Sequence, residues 1–409
     1  MNYIDLFAGG GGLSEGFFQA GFEPVAHIEM NSNAAQTLKT RTCYYYLRAN
    51  NNLNNYYQYQ RGNISRAELY DAVPQAVFDS VINAEITEKN IKELFEQVDG
   101  LLVRNPAWNN AVDVIVGGPP CQAYSLVGRS CSEDNMLNDP RNFLYKLYCR
   151  FLKQYHPKMF VFENVPGLLT ANGGVHFKNL QRYLKHVGYE IEVRELNSKD
   201  YGVLQSRRRI IIIGWRIGAN NYYPDIPVVN HDYLVDDVLN DLPSLQSGQQ
   251  NNTYSGPASQ YLIAHGLRDA NDVLTQHVAR PNIDRDRQIY RKVIEAWNDG
   301  HRRIKYTDLP AELRTHKNIT SFLDRFKVVE GGTPTCHTMM AHISKDGHYF
   351  IHPDINQARS ITVREAARIQ SFPDNYYFEG GRTAAFTQIG NAVPPLMARA
   401  IAQALRVQL

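Results

Sequence analysis

The segment Val114–Ser125, VIVGGPPCQAYS, constrains this chain more than any other. Its apolar run reads as a buried parallel strand that ends at Gly117-Gly118. It delivers Pro119, Pro120 and Cys121 at its carboxyl end, where open α/β sheets place their ligands. Two prolines fix two φ angles and remove two backbone donors, so the loop that carries the thiol is stiff. Free cysteine is more often a small buried hydrophobe than a nucleophile. The Gly-Gly-Pro-Pro lead-in weighs against that reading here.

Other apolar runs repeat the theme of a functional group at a strand's end. Tyr3–Phe18, YIDLFAGGGGLSEGFF, reads as a strand, a glycine loop and a helix opening in which Ser14 is a candidate cap. The glycine spacing is not the dinucleotide fingerprint and no Walker lysine follows, so a nucleotide phosphate is not expected. Pro24–Ile28 ends in Glu29, about 20 residues past Gly9, where an acid can hold both ribose hydroxyls. Together these describe an adenosine-type cofactor without phosphates. Ser80–Thr87, SVINAEIT, reads as a further strand with Glu85 at its end, followed by an amphipathic helix over Lys89–Val98.

After Cys121, Asp139 caps a helix that Pro140 opens, and Lys158–Phe162 then leads into Glu163-Asn164-Val165. One strand-helix-strand unit separates Glu163 from Cys121, which puts the two on neighbouring strand ends. Most strand-end glutamates are solvated or ion-paired, so position alone does not make Glu163 catalytic. QSRRR, Gln205–Arg209, precedes the apolar strand Ile210–Trp215, with Arg207 and Arg209 on one face and Arg208 on the other. Arginines beside a buried strand are costly unless paired. The fold class expected is α/β, with a mostly parallel sheet and helices on both faces.

Charge alone does not suggest nucleic acid, since 43 Lys and Arg face 41 Asp and Glu among 409 residues. Five cysteines, at 43, 121, 131, 149 and 336, show no metal-ligand spacing, and an odd count argues against a disulfide framework. No metal is expected, and a reducing cytoplasm fits. The start of the chain reads as a strand rather than a leader, and no apolar stretch reaches membrane-spanning length. The stretch from Arg41 to about Tyr59 is rich in Asn and Tyr and reads as helices and a polar loop whose tyrosines pack against the core, with base stacking the less favoured use. Between about Arg216 and Ala358 the parallel-strand pattern disappears. Gln276–Lys327 holds roughly a dozen Arg and Lys against about seven acids, with His277, His301 and His316 interspersed. That excess fits phosphate contact, and a solvated helical surface fits it equally well.

GGPPCQAYS resembles the catalytic motif of the DNA (cytosine-5) methyltransferases, and further motifs follow in that family's order. They are DLFAGGGG with IEM, ENV, QSRRR, RIQSFPD within Arg359–Asp374, and QIGNAVPP at Gln388–Pro395. The resemblance implies a Rossmann-like class I methyltransferase sheet. Its catalytic domain would span residues 1–216 plus 387–409, with a smaller target recognition domain and hinge at 217–386. It implies S-adenosyl-L-methionine as donor and S-adenosylhomocysteine as product. Phe7 would stack near the adenine, Gly9, Gly11, Gly12 and Leu13 would line the methionine moiety, and Glu29 would take the ribose. Glu85 would meet the adenine amino group, and Asp5, Met30, Ile86, Pro119, Asn391 and Val393 would complete the cofactor site. The family usually carries Asp where this chain has Glu85, and GNI at Gly62–Ile64 is another candidate for that motif.

The same resemblance makes Cys121, Glu163, Arg207 and Arg209 catalytic. Cys121 would add to ring carbon 6 of a cytosine flipped from the duplex, Glu163 would meet ring nitrogen 3, and Arg209 the carbonyl oxygen. Arg207 would hold the site or the thiolate's surroundings. The expected partners are double-stranded DNA and a separately acting cognate restriction endonuclease. The protein is expected to be a monomer in the bacterial cytoplasm, associated with the nucleoid. A tRNA substrate and a catalytically silent DNA-binding role are the alternatives. The sizeable segment before Arg359 speaks against the first, and the presence of Cys121, Glu163 and Arg209 against the second.

Overall fold

A computed structural model describes residues 1–120, 144–315 and 323–409. Cys121, the expected helix opening at Asp139-Pro140, and His316 lie outside the described residues.

Seven strands form one sheet: β1 (Asn2–Leu6), β2 (Glu23–Glu29), β3 (Val81–Asn83), β4 (Val114–Gly117), β5 (Met159–Asn164), β6 (Tyr189–Asn197) and β7 (Arg208–Arg216). Their order across the sheet is β3-β2-β1-β4-β5-β7-β6. The first five strands pair in parallel, whereas β7 runs antiparallel to both β5 and β6. The parallel runs are apolar on both faces, as strands covered on each side must be. Alternation sorts the side chains: Tyr3, Val114, Val116, Met159, Val161, Ile211 and Ile213 join one core. Ile4, Leu6, Ile115, Phe160, Phe162, Ile210 and Ile212 join the other.

Helices α1 (Gly12–Gln19), α2 (Ser32–Ala49), α3 (Ile91–Leu102), α4 (Leu144–Tyr155) and α5 (Val175–His186) supply the layers. Leu13 and Phe17 of α1 cover the first face, and Leu94, Val98, Phe151 and Leu184 from α3, α4 and α5 the second. The second core is therefore built from sequence-local crossover helices. The first needs distant chain, namely α7 to α9 and parts of the segment between β7 and α7, while α6 (Asp284–Asn298) packs in a cluster of its own. Here α7 is Val363–Ile369, α8 Arg382–Asn391 and α9 Pro395–Arg406. Leu396, Met397, Ile401 and Leu405 of α9 pack in the same core as α1 and β1, so the last helix returns beside the first strand. Gly16 makes that approach possible, because a Cβ there would fall 2.4 Å from Ala398 Cβ and from the Arg399 nitrogen.

Strand β3 is shorter than the expected Ser80–Thr87 run. Its ladder ends where its only described strand neighbour ends, with Asn83 opposite Glu29, so Glu85 lies beyond the sheet and is exposed. The described residues of 217–315 and 323–358 carry little regular structure. Ile289, Val293, Trp297, Leu309, Phe326 and Ile351 form a separate apolar cluster there. Ile361, Phe372 and Phe378 belong instead to the first core of the sheet.

Three fully buried arginines hold this junction. Arg359 makes two bonds to Glu365, at 2.8 and 2.7 Å. Arg364 donates to the carbonyl oxygens of Thr275, Pro373 and Tyr376. Arg368 is shared between Asp374, at 2.8 and 2.6 Å, and Asp241. Bidentate geometry of this kind is what makes a buried guanidinium tolerable. Burial would raise the Glu365 carboxyl, but the charge and hydrogen bonds of Arg359, with His352 and His277 adding to them, hold it far below the usual range.

Candidate active site

The carboxyl ends of β4 and β5 meet at the expected site. Gly117 pairs with Phe162, which places Gly118 beside Glu163. A Cβ on Gly118 would fall 2.5 Å from Glu163 Oε2, so only glycine leaves room for that carboxylate. The buried Asn164 donates from Nδ2 to the Pro119 carbonyl at 3.2 Å, tying the proline loop to β5. This loop leads directly into Cys121.

Arg209 reaches the same place from the opposite direction. Because β7 is antiparallel to β5, the start of β7 lies at the carboxyl end of β5. Arg209 Nε sits 2.7 Å from Glu163 Oε1, and both side chains are 13% exposed. The pair is thus sheltered but reachable, and a carboxylate held by one donor can accept from others. Arg208 points to the other face and pairs with Glu195.

Arg207 is placed differently. It is fully buried, and its guanidinium donates to the main-chain oxygens of Met339 at 2.5 Å and Gly390 at 2.9 Å. It shares a face with Arg209 yet ties the start of β7 to α8 and to the segment before it. Of the four residues expected to be catalytic, the structure therefore brings Glu163 and Arg209 together and sets Arg207 among backbone carbonyls.

The glycine loop lies at the end of β1. Glu29 accepts from the Gly9 nitrogen at 2.8 Å and the Asn31 nitrogen at 2.7 Å, so the two motifs are joined through one carboxylate. Phe7, Gly9 and Gly11 all have positive φ, at 59°, 55° and 79°. The glycines have separate duties. A Cβ on Gly9 would meet nothing within 4 Å, one on Gly11 would fall 2.5 Å from the Tyr376 hydroxyl, and one on Gly12 would fall 2.2 Å from the Val393 oxygen. Gly9 is the position of this loop whose missing side chain opens onto free space, and Gly11 and Gly12 allow close packing of the C-terminal motifs. Leu13 is buried in the first core.

Asp5 lies under this loop, buried, and accepts from Ser14 Oγ at 2.5 Å. Burial pushes its carboxyl up to about 7; the Ser14 bond opposes the shift and the nearby Glu29 charge adds to it. Met30, at the end of β2, is 61% exposed. Asn83 donates to the Glu29 and Met30 oxygens, and Ile86 is buried close to this edge. Glu85 and Asn391 are exposed, and Val393 is buried against Gly12.

The model of the C-5 cytosine-specific DNA methylases matches residues 1–68 and 64–406. The chain belongs to that family. This methylase is 42% identical to the type II methyltransferase M.Bpa9945I of Bacillus paralicheniformis, over 99% of this chain and 98% of that one. It is 31% identical to the type II methyltransferase M.DdeI of Desulfomicrobium norvegicum, over 98% and 88% of the two chains. Among solved structures, a methyltransferase encoded within an E. coli prophage shares the fold with TM-score 0.64 at 22% identity, covering 100% of this chain and 99% of that one. The methylase is thus an enzyme that modifies cytosine in DNA with a methyl donor. Among its described residues no helix is long and apolar enough to cross a membrane.

The residues present fit a donor of adenosine type. A carboxylate stands at the end of β2 beside the one loop glycine that opens to space, and the exposed Met30 offers apolar surface nearby.

Sequence reasoning did not find the residues that assemble the methylase's motifs. Gln205, fully buried, donates to Gln370 at 2.6 Å and accepts from the Met339 nitrogen. Gln370 in turn donates to the Ile389 and Ala392 oxygens. QSRRR, RIQSFPD and QIGNAVPP are thus one hydrogen-bonded junction. Its signal in the sequence was a glutamine in each of the first two motifs, which no local periodicity distinguishes from a solvated one.

Proposed function

We propose that this methylase transfers a methyl group from S-adenosylmethionine to carbon 5 of a cytosine flipped out of a specific duplex DNA sequence. The transfer would pass through a transient covalent bond between Cys121 and ring carbon 6. The observation that carries this reading is the Glu163–Arg209 pair, 2.7 Å apart, beside the Gly-Gly-Pro-Pro loop that leads into Cys121.

Carbon 5 of cytosine is a poor nucleophile. Addition of the Cys121 thiolate at carbon 6 pushes an electron pair into the ring and makes carbon 5 enamine-like. Ring nitrogen 3 gains basicity in that step, and Glu163 stabilises it by sharing a proton. Arg209, fixed by its bond to Glu163, places its remaining N–H groups for the carbonyl oxygen on ring carbon 2. The donor supplies an electrophilic methyl group on a sulfonium. Loss of the carbon-5 proton and of the Cys121 sulfur then restores the ring. Glu29 holds the ribose hydroxyls, Gly9 lets the backbone approach the donor, and Phe7, Ile86 and Met30 border the adenine. Asp5, Gly11, Gly12, Leu13, Pro119, Asn391 and Val393 shape the loop and its walls. Arg207 acts as a positioning residue that joins β7 to α8.

We assign residues 1–216 plus 387–409 to the catalytic domain and 217–386 to target recognition and hinge. An apolar cluster of its own around Ile289, Trp297 and Phe326 supports that division, while Val235, Tyr261, Val329 and Phe350 join the first core of the sheet. The likeness to type II methyltransferases supports a protective role beside a cognate endonuclease; we assign the methylase to the bacterial cytoplasm as a monomer.

The test is incubation of the purified chain with labelled S-adenosylmethionine and duplex DNA or tRNA, followed by bisulfite sequencing of DNA from expressing cells. Label in DNA at a fixed cytosine context, abolished in Cys121→Ser while donor binding persists, is the expected result. Label in tRNA alone, or in neither, overturns the reading.

A further inference from the structure

The Tyr/Asn-rich helices have no place in the chemistry above, yet they reach the donor loop. Arg41 of α2 is buried and bonds Glu15 of α1 twice, at 2.8 and 2.6 Å. It also donates to Asn375 Oδ1 at 2.8 Å and to the Asn375 oxygen at 3.3 Å. Its guanidinium carbon lies 4.2, 4.5 and 4.8 Å from the ring centroids of Tyr44, Tyr45 and Tyr376. The ring of Tyr376 is therefore backed by a fixed cation. Its hydroxyl donates to the Gly10 oxygen at 2.7 Å and fills the space that a Cβ on Gly11 would take. Its own carbonyl accepts from Arg364, which also holds the Thr275 carbonyl of the insert.

We propose that Tyr376 is a positioning residue for the methyl-donor loop, with Arg41 as the clamp that holds it. This rests on the donor reading given above. The hydroxyl fixes the plane of the Gly10–Gly11 peptide, and so the shape of the loop between Gly9, which faces open space, and Gly12, which packs on Val393. Removing it leaves a buried carbonyl without that donor and lets the loop relax away from its binding shape.

The experiment measures binding of S-adenosylhomocysteine alone, by calorimetry, to wild type, Tyr376→Phe, Arg41→Lys and Thr40→Val, with DNA affinity measured in parallel. Thr40→Val is the control, because Thr40 bonds Glu379 at 2.6 Å in the same buried cluster without touching the glycine loop. Tyr376→Phe should weaken binding about five- to tenfold with DNA affinity unchanged. Arg41→Lys should weaken it in the same direction, and Thr40→Val should stay within about twofold. Wild-type binding with Tyr376→Phe unchanged, or with Thr40→Val equally weakened, overturns the inference alone. If Tyr376→Phe does not fold, the contrast between Arg41→Lys and Thr40→Val decides by the same criterion. Absence of binding by wild type overturns the donor reading and this inference with it.

Discussion

Arg209 Nε meets Glu163 Oε1 at 2.7 Å because β7 runs against β5, bringing the start of one strand to the end of the other. The two groups are mutually oriented before substrate arrives, which is the arrangement electrostatic catalysis needs. Arg209→Ala and Glu163→Gln should each lower kcat by about a hundredfold or more, with little change in far-ultraviolet dichroism. Single-turnover methylation of a cognate duplex measures this; a loss under about threefold in either variant would show the pair to be structural.

Gly118 offers a separate probe of the same carboxylate. A methyl group there would collide with Glu163 Oε2 at 2.5 Å, and the atom that must yield is the end of a side chain rather than backbone. Gly118→Ala should therefore cost little stability, about 1 kcal/mol or less, while reducing methyl transfer at least tenfold. Thermal melts beside initial rates separate the two effects. A variant with full activity would mean that Glu163 needs no fixed position.

Asp5 gives a pH signature. Its folded-state value is pushed up to about 7 from the usual 3.8, with burial as the main cause. A raised folded pKa means that its contribution to stability is fully present below the unfolded value, near 4, and is lost as pH rises through about 7. Wild type should lose stability relative to Asp5→Asn between about pH 5 and 7 and run parallel to it above pH 8. Urea melts of both proteins across that range check the sign; a difference that stays constant or reverses would rule out a protonated Asp5.

Much of the site was legible because its signals are local. A strand's period and its closing residue can be read within ten positions, so Glu29, Glu163 and the Gly-Gly-Pro-Pro loop stand where the sequence placed them relative to their own strands. Alternation also put Arg207 and Arg209 on one face. It could not tell that Arg209 meets a carboxylate while Arg207 meets the oxygens of Met339 and Gly390, since those partners come from remote parts of the chain. Glu85 illustrates the opposite error: its run is strand-like, but a ladder ends with its neighbour, and β2 stops at Glu29.

The sequence by itself determined the class of fold, the family motifs and their order, because burial, turn chemistry and helix opening are set by neighbouring residues. Tertiary structure alone decided the direction of β7, the separate duties of Gly9, Gly11 and Gly12, and the use of Arg41, Tyr376 and three buried arginines as a frame. Strand direction and side-chain partners depend on which distant segment fills the space beside a residue. Periodicity records only that the space is filled.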